Sequence, residues 1–498
     1  MIKQNSLTIL FNKLIQTISN NSLLVYFSKQ LNMFIFSKLL IFYNTYFVVK
    51  EPIFDNTQPS KSFIKRFFRW FFFDAMFDLI PHSVNGHIYD FYFLSKVISS
   101  SLIGRMWIRS KYKFVDESDY ISIMKSANFE VVQTNIQIKD LFNKFIDDYI
   151  GYGLITKNDF SNYIIDTRYL RQFETRDEYS HLDVIIYLDN DLHFNYCIIN
   201  GNFKELRNDD FALRECITAI STIKTIEKHL FNVHFFLSDQ FNILLNTISD
   251  KKNPIYRILI PITNNPYEVN DSASISLLGQ TGICTWFNFT RKGLKQYYDY
   301  AKTNFNIRDF LIPKKLNGKS SIHQHQHLWY NCIHTFVYEF MNIQDKQFLS
   351  QSDDFIDLLK KTYIGIYDDK KDKLTNIIDI CTMMIYMNVI HETYSNSKSS
   401  KLYTNPFTLS TSWKQNDSNK LVDKINNLGE QTLVNFVTYV TSLEAIRLND
   451  IQWIDRCCIN EKEKEIYQNF FKAISDLATQ IPIDAVLYPT NISSSVSF

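Results

Sequence analysis

The sequence predicts a mainly α-helical fold with one small β-hairpin region. Hydrophobic residues make up 45% of the 498-residue chain, and with only 11 glycines and 10 prolines few positions interrupt a helix. Residues 211–248 carry a helical pattern of apolar side chains and contain neither Gly nor Pro. We therefore expect one long helix over this stretch.

The β-hairpin is predicted from two short runs of strand-forming residues. Val184-Ile-Ile-Tyr-Leu188 is followed by the turn-prone Asp189-Asn190-Asp191, and then by the second run, Phe194–Ile199. This order of strand, turn and strand is typical of an antiparallel pair.

Two histidines, His229 and His234, lie five residues apart inside the predicted long helix. On a regular α-helix five residues turn the side-chain direction by about 500°, which leaves the two imidazoles about 140° apart. A π-bulge, which widens one turn, would bring both onto nearly one face. Taken alone, the pair is better explained as two unrelated histidines, one buried and one solvated.

The segments that follow resemble one family in order and spacing. Asn253-Pro-Ile-Tyr-Arg-Ile-Leu-Ile-Pro261 and Asn270-Asp-Ser-Ala-Ser-Ile-Ser-Leu277 are similar to the lipoxygenase patterns His-Pro-Ile-Tyr-Lys-Leu-Leu-Ile-Pro and Asn-x-x-Ala-Arg-x-x-Leu. Leu328-Trp329 with Phe336-Val-Tyr-Glu339 resembles a further helix of that family, and Thr382–His391 resembles the helix that carries its third metal-binding histidine. The resemblance covers roughly residues 140 to 498, and it predicts a lipoxygenase-like helical catalytic domain.

The resemblance implies a non-haem iron centre. Its ligands would be His229, His234 and His391, together with the terminal carboxylate of Phe498, because lipoxygenases end in Asn-Ser-Val-x-Ile with that carboxylate on the iron. Neutral imidazoles and a carboxylate oxygen suit iron and leave positions open for small oxygen species.

A fifth protein ligand would lie four residues after the third histidine, at Ser395, with Asn396 beside it. Small polar residues that satisfy the carbonyls at a helix end explain Ser395 equally well.

Two positions match pocket residues of the family. Alanine at the position of Ala273 is associated there with S-configured products and glycine with R, and the leucine at the position of Leu277 walls a channel for oxygen. Ordinary core packing of two apolar residues four apart on a helix explains the pair equally well.

The implied activity is that of an iron dioxygenase acting on polyunsaturated fatty acids. A hydrogen atom is taken from the methylene between two cis double bonds, and O2 traps the carbon radical as a lipid hydroperoxide. The acyl chain must lie in an apolar tunnel with one carbon facing the metal, because its position sets which hydrogen is reachable.

The chain also departs from the family pattern. Asn253 stands in place of a histidine, Ser274 in place of an arginine, and Phe498 in place of isoleucine. None of these changes removes a metal-binding atom. They nevertheless leave a second hypothesis open, a lipoxygenase-fold protein that binds lipid with little or no oxygenation.

We expect a helical N-terminal or lid region at 1–120 and the catalytic domain at 121–498, in the compact form without an N-terminal β-barrel. The basic aromatic segment Phe63–Phe73 either docks on membranes or forms a lid helix packed on the catalytic domain. The apolar run 33–49 is interrupted by Lys38 and Asn44, which argues against a membrane span.

Other features point away from further functions. A net charge of +1 gives no case for nucleic acid, and seven cysteines provide no disulfide framework, so we expect reduced thiols in a cytoplasmic monomer with peripheral membrane contact. His323, His325 and His327 follow a loop-like composition, and we expect them to be solvated. His82 and His87 flank a turn-like Gly86 and have no identified partner.

Overall fold

The structure, a computed structural model, describes a defined part of the chain. The described residues are 118, 121, 137–149, 154–157, 163–199, 202–206, 209–262, 278, 284, 287–307, 321–363, 366–395, 405–417, 419–425, 458–485 and 487–492. The described helices and strands all belong to one compact unit, formed by residues 114–270 and 284–498. The predictions for the basic aromatic segment at 63–73, for the apolar run at 33–49 and for His82 and His87 lie outside the described residues.

A five-stranded antiparallel sheet precedes the long helix. Its strands are paired in chain order: β1 (Thr156–Lys157), β2 (Tyr163–Asp166), β3 (Val184–Leu188), β4 (Phe194–Ile199) and β5 (Asn202–Leu206). The predicted hairpin is confirmed, because β3 and β4 pair antiparallel with Val184 opposite Ile199. Its turn is held by Asp189 Oδ1, which accepts hydrogen bonds from the backbone N–H groups of Asp191 and His193, both at 2.9 Å. An aspartate at the first turn position commonly makes such bonds.

The predicted long helix is also confirmed, and we call it α2, after α1 (Ile138–Tyr149). It runs without a break through an α-helical part, Asp210–Thr222, a π-helical part, Ile223–Asp239, and a second α-helical part, Gln240–Leu245. Asp209 caps its start by accepting hydrogen bonds from the N–H groups of Phe211 and Ala212. The widened turn therefore extends over 17 residues, where we had expected a local bulge.

Asn253 has a clear structural role at the start of α3 (Pro254–Leu259). Its Oδ1 accepts from the N–H of Ile255 at 2.9 Å, and its Nδ2 donates to Ser352 Oγ at 3.1 Å. Asparagine is among the best N-cap residues, and Pro254 suits the first helical position. The replacement of the family's histidine thus gives a well-capped, buried helix start.

The remaining helices form the bulk of the core. Those described are α4 (Arg291–Asn304), α5 (Ser321–Asn342), α6 (Gln347–Ser350), α7 (Asp353–Thr362), α8 (Lys373–Tyr386), α9 (Leu421–Lys424) and α10 (Glu461–Leu477). Helix α8 continues through a π-helical stretch, Met387–His391, into a last α-helical turn, Glu392–Ser395. By length and composition, Lys373–Tyr394 could cross a membrane, but most of it is buried inside the protein. We read it as a core helix.

Helix α5 lies between α8 and α10. The Phe336 ring stacks on Phe470 with 4.3 Å between the centroids, and it meets Tyr467 edge-on at 4.8 Å. Such aromatic pairs stabilise a core beyond the apolar area that they bury.

A buried ion pair joins α3 to α10. The guanidinium of Arg257 meets Glu463 with two hydrogen bonds, Nη1 to Oε2 at 2.7 Å and Nη2 to Oε1 at 3.0 Å. Both side chains are 5% exposed or less, so each charge depends on the other.

The expectation of a solvated His323-Gln-His-Gln-His327 segment is wrong. These residues form the first turns of α5, and His323 and His325 are buried, each 7% exposed. Burial lowers the pKa of His325. Since residues two apart point to opposite sides of a helix, the three imidazoles do not share one face as they would in an extended segment.

Candidate metal centre

The π-helical part of α2 brings the paired histidines together. Their Nε2 atoms lie 3.1 Å apart, and the two rings meet edge-on with 4.6 Å between the centroids. On a regular α-helix these side chains would diverge by about 140°. The π-helix therefore brings both imidazoles onto nearly one face of α2, as a shared metal site requires.

Both imidazoles are largely shielded from solvent. The side chain of His234 is 2% exposed and that of His229 is 16% exposed. Burial, followed by the charges of His234, Lys224 and His391, holds the pKa of His229 well below its usual range. The ring is thus neutral at pH 7, which is the form that donates a lone pair to a metal.

Glu392 completes a compact cluster with the two histidines. Its Oε2 lies 3.8 Å from His229 Nδ1 and 3.7 Å from His234 Nε2, and its side chain is 1% exposed. One ligand atom from each of the three residues lies within 4.8 Å of the others. Glu392 was not predicted from the sequence.

A signal for Glu392 was present in the sequence. It is a carboxylate that directly follows the mostly apolar run Ile385–Ile390 and the candidate ligand His391. Burying a charge is expensive unless a cation or a hydrogen-bond network accompanies it. A charged residue at such a position therefore indicates a partner in the core.

His391 lies at the end of the π-helical stretch of α8 and is buried, 3% exposed. Its ring has edge contacts with Tyr386 and Tyr394, at 6.4 and 6.5 Å between centroids. Burial, and then the charge of Lys228, lower its pKa to about 4, so it is neutral at pH 7. It is close enough to affect the pKa of His229, but it is not one of the three residues in the compact cluster.

Glu227 anchors the histidine-bearing stretch of α2 to neighbouring tyrosines. Its Oε2 accepts hydrogen bonds from the hydroxyl groups of Tyr169 at 2.5 Å and Tyr297 at 3.0 Å, and Lys228 Nζ lies 2.7 Å from Oε1. Burial, and then the charge of Glu227, raise the pKa of Tyr297 well above its usual range, so this phenol stays protonated and remains a donor. The backbone two residues before His229 is thereby anchored to α4.

Several predicted site residues lie outside the described part of the chain. They are Ala273, Ser274, Leu277, Asn396 and Phe498, and of Ser395 only the backbone is described, at the end of the last turn of α8. Their assignments stay predictions.

The segment leading towards the C-terminus is described as far as Ile492. Leu487 and Ile492 are fully buried, and the Leu487 carbonyl accepts a hydrogen bond from Trp329 Nε1 at 2.8 Å. The chain is therefore inside the core six residues before Phe498.

The donor set fits a small cation. Two nitrogens bound to one ion at about 2.1 Å, in octahedral or tetrahedral geometry, lie about 3.0–3.4 Å apart, and the Nε2 atoms here are 3.1 Å apart. Among the groups that the structure describes, none forms a hydrogen bond with the buried Nδ1 of His229. Imidazole and carboxylate donors together are typical of non-haem iron sites.

Within the described residues Cys197, Cys216, Cys284, Cys332, Cys381 and Cys458 form no disulfide. Cys197 and Cys216 are fully buried side by side, between β4 and α2.

Comparison with solved structures decides the fold. Coral 8R-lipoxygenase matches with a TM-score of 0.66 and 11% identity, over 84% of this chain and 77% of that one. The chain has the lipoxygenase fold. A 9R-lipoxygenase from Cyanothece PCC8801 gives a TM-score of 0.59 at 12% identity, over 82% and 70% of the two chains. A lipoxygenase variant crystallised anaerobically with arachidonate gives 0.65 at 12% identity, over 82% and 74%.

The lipoxygenase fold is established by the solved structures alone. No protein-family model and no curated protein sequence matches the chain. The mainly helical class with a small sheet region agrees with the expectation from the sequence. Of the motifs that suggested a lipoxygenase fold, those in the described residues lie in or next to α2, α3, α5 and α8, whereas the segment 270–277 lies outside the described residues. In the structure α2 and α8 meet at the cluster of His229, His234 and Glu392.

Proposed function

We propose that this protein is a non-haem iron dioxygenase that forms hydroperoxides from polyunsaturated fatty acids. The observation that supports it best is the pair of His229, which is mostly covered, and His234, which is buried, with their Nε2 atoms 3.1 Å apart on a π-helix within a lipoxygenase fold. When bound, iron supplies the one-electron chemistry that removes a hydrogen atom from the substrate. His229, His234, His391 and the carboxylate of Phe498 would hold it.

The protein's own part in this reaction is to keep its donors neutral, dry and in place. Burial lowers the pKa of His229 and His391, so protons do not compete for the ligand nitrogens at pH 7. The contact of Glu227 with Tyr169 and Tyr297 holds the π-helical stretch. Ligands on two rigid helices give a more fixed geometry than ligands on loops.

The proposal is tested on the purified protein by counting iron per chain and by following conjugated-diene absorbance with linoleate and arachidonate under air. We expect about one iron per chain and O2 uptake matched by diene formation. Iron-free protein that forms no diene, even after reconstitution with Fe(II), would contradict the proposal.

A second candidate function is lipid binding without oxygenation. Three departures from the family pattern suggested it, at Asn253, Ser274 and Phe498. The structure weakens the first, because Asn253 caps α3. A protein that binds arachidonate tightly but contains no iron would favour this second candidate.

Ala273 supports a prediction about stereochemistry. In Ala273→Gly, the loss of a methyl group beside the reacting carbon opens a face to O2, so the chirality or position of the hydroperoxide should change while the iron content stays the same. Chiral chromatography of the products from both proteins measures this. An identical product profile would show that Ala273 does not limit access of oxygen.

Adding one glycine after Phe498 should release most of the iron. The extension turns the proposed ligand carboxylate into a neutral amide, and a terminus in the core cannot accept a longer chain as a frayed tail can. The burial of Leu487 and Ile492 supports a buried path for this segment. Phe498→Ile, which keeps the carboxylate, is the control and should retain iron; a fully loaded extended protein would exclude Phe498 as a ligand.

We also propose polyunsaturated fatty acid and O2 as the substrates, with peripheral membrane contact for delivery of the fatty acid. The basic aromatic segment 63–73 is the candidate for that contact.

A further inference from the structure

Glu392 lies in this centre, and the resemblance to lipoxygenases assigns it no role. We infer that its carboxylate is a direct ligand of the metal, an anionic donor supplied from inside helix α8. This inference rests on the proposed iron centre, and it adds a residue to it.

The geometry favours a shared cation over a bond to either histidine. The distances from Glu392 Oε2 to His229 Nδ1 and to His234 Nε2, 3.8 and 3.7 Å, are both longer than a hydrogen bond and nearly equal. The Nε2 atoms of His229 and His234 face each other at 3.1 Å, and Glu392 Oε2 lies 3.7 Å from the same His234 Nε2. One donor atom from each of the three residues lies within 4.8 Å of the others, which places the carboxylate as the third corner of a metal site. Two histidines and one carboxylate form a common ligand set of non-haem iron oxygenases.

The helix geometry explains how Glu392 reaches this position. Neighbouring residues on an α-helix point about 100° apart, so His391 and Glu392 would ordinarily face different neighbours. The π-helical stretch ends at His391, directly before Glu392, and its wider turn reduces the angle between these two side chains. Helix α8 can thus present Glu392 to the paired histidines of α2.

The charge balance requires an anion close to the metal. A divalent or trivalent ion held by neutral imidazoles alone would bring its full charge into the core, which is costly. The proposed carboxylate of Phe498 would offset one unit of that charge, and Glu392 would offset a second. Lys228, on the histidine-bearing helix, pairs with Glu227. In the cluster of His229, His234 and Glu392, the carboxylate is the anionic member.

The competing explanation is that Glu392 only orients an imidazole by accepting a hydrogen bond. Removing such an orienting partner costs about 10–100-fold in metal affinity. Glu392→Gln separates the two roles, because the amide keeps an acceptor oxygen and loses the charge.

The experiment measures anaerobic Fe(II) binding and the visible spectrum of the Co(II) form in wild type, Glu392→Gln and Glu392→Asp. We expect Fe(II) affinity to fall by more than about 100-fold in Glu392→Gln, with an altered Co(II) spectrum and partial recovery in Glu392→Asp. Glu215→Gln is the matched control: Glu215 is a buried glutamate on α2, burial raises its pKa to about 7, and it bonds to Ser180. This control should bind both metals as wild type does.

Melting curves with and without Fe(II) show whether each variant folds. Glu392→Gln removes a buried charge, so its metal-free form should melt no lower than metal-free wild type, and Fe(II) should raise its melting temperature much less. If Glu392→Gln binds Fe(II) within about tenfold of wild type and keeps the Co(II) spectrum, Glu392 is not a ligand, although the iron centre stands. If wild type binds neither metal, the proposed function itself is wrong.

Discussion

Replacing His229, His234 or His391 by alanine should remove most of the iron and abolish O2 uptake. The first two imidazoles face each other at 3.1 Å, and the third lies on the adjoining helix α8. Losing one neutral donor from a buried site leaves the ion with fewer ligands and without compensating water. Iron per chain and O2 consumption with linoleate are the two measurements.

The matched control for these variants is His325→Ala. His325 is also buried and also has its pKa lowered by burial, but it lies on α5 outside the cluster. It should keep its iron, whatever stability it loses. Full iron content in His391→Ala would show that the third histidine is not a ligand, and together with iron loss in Glu392→Gln it would assign that position to the carboxylate.

The fold was predictable where local patterns agree with the tertiary structure. The absence of Gly and Pro from 211–248 and the apolar periodicity predicted α2, whose observed bounds are Asp210 and Leu245. Both strands of the hairpin have the bounds that were predicted, Val184–Leu188 and Phe194–Ile199, because two strand-forming runs flank an aspartate-rich turn. Both elements are specified by residues close together in the chain.

The two parts of the site that were predicted less well depend on departures from regular helices. A local bulge was expected at His229, whereas the π-helix extends over 17 residues, and a second π-helical stretch at Met387–His391 was not expected. With the angles of a regular helix, Glu392 points away from the side that His391 faces, so the sequence alone did not place it in the site.

The buried histidines of α5 were missed for another reason. A polar, loop-like segment just before them suggested solvent, but tertiary packing covered the helix start.

Glu227→Ala should weaken both the fold and the metal site. It removes the acceptor shared by the hydroxyls of Tyr169 and Tyr297 and the partner of Lys228, so buried donors and a charge lose their compensation. Breaking such a pair costs about 3–5 kcal/mol. Because Glu227 precedes His229 by two residues on the π-helix, Fe(II) affinity should also fall by about 10–100-fold. Denaturant unfolding and anaerobic Fe(II) titration measure the two effects.

The matched control for Glu227→Ala is Glu463→Gln. That change breaks the buried pair with Arg257, which joins α3 to α10 and involves none of the three residues of the cluster. It should reduce the free energy of unfolding by a similar amount, about 3–5 kcal/mol, and leave Fe(II) affinity of the folded protein unchanged. Tyr297→Phe, which removes one hydrogen bond to Glu227, should lie between wild type and Glu227→Ala in both measurements. If Glu463→Gln loses as much Fe(II) affinity as Glu227→Ala, the iron site responds to stability in general, and the contact of Glu227 with the two tyrosines has no particular role in placing His229.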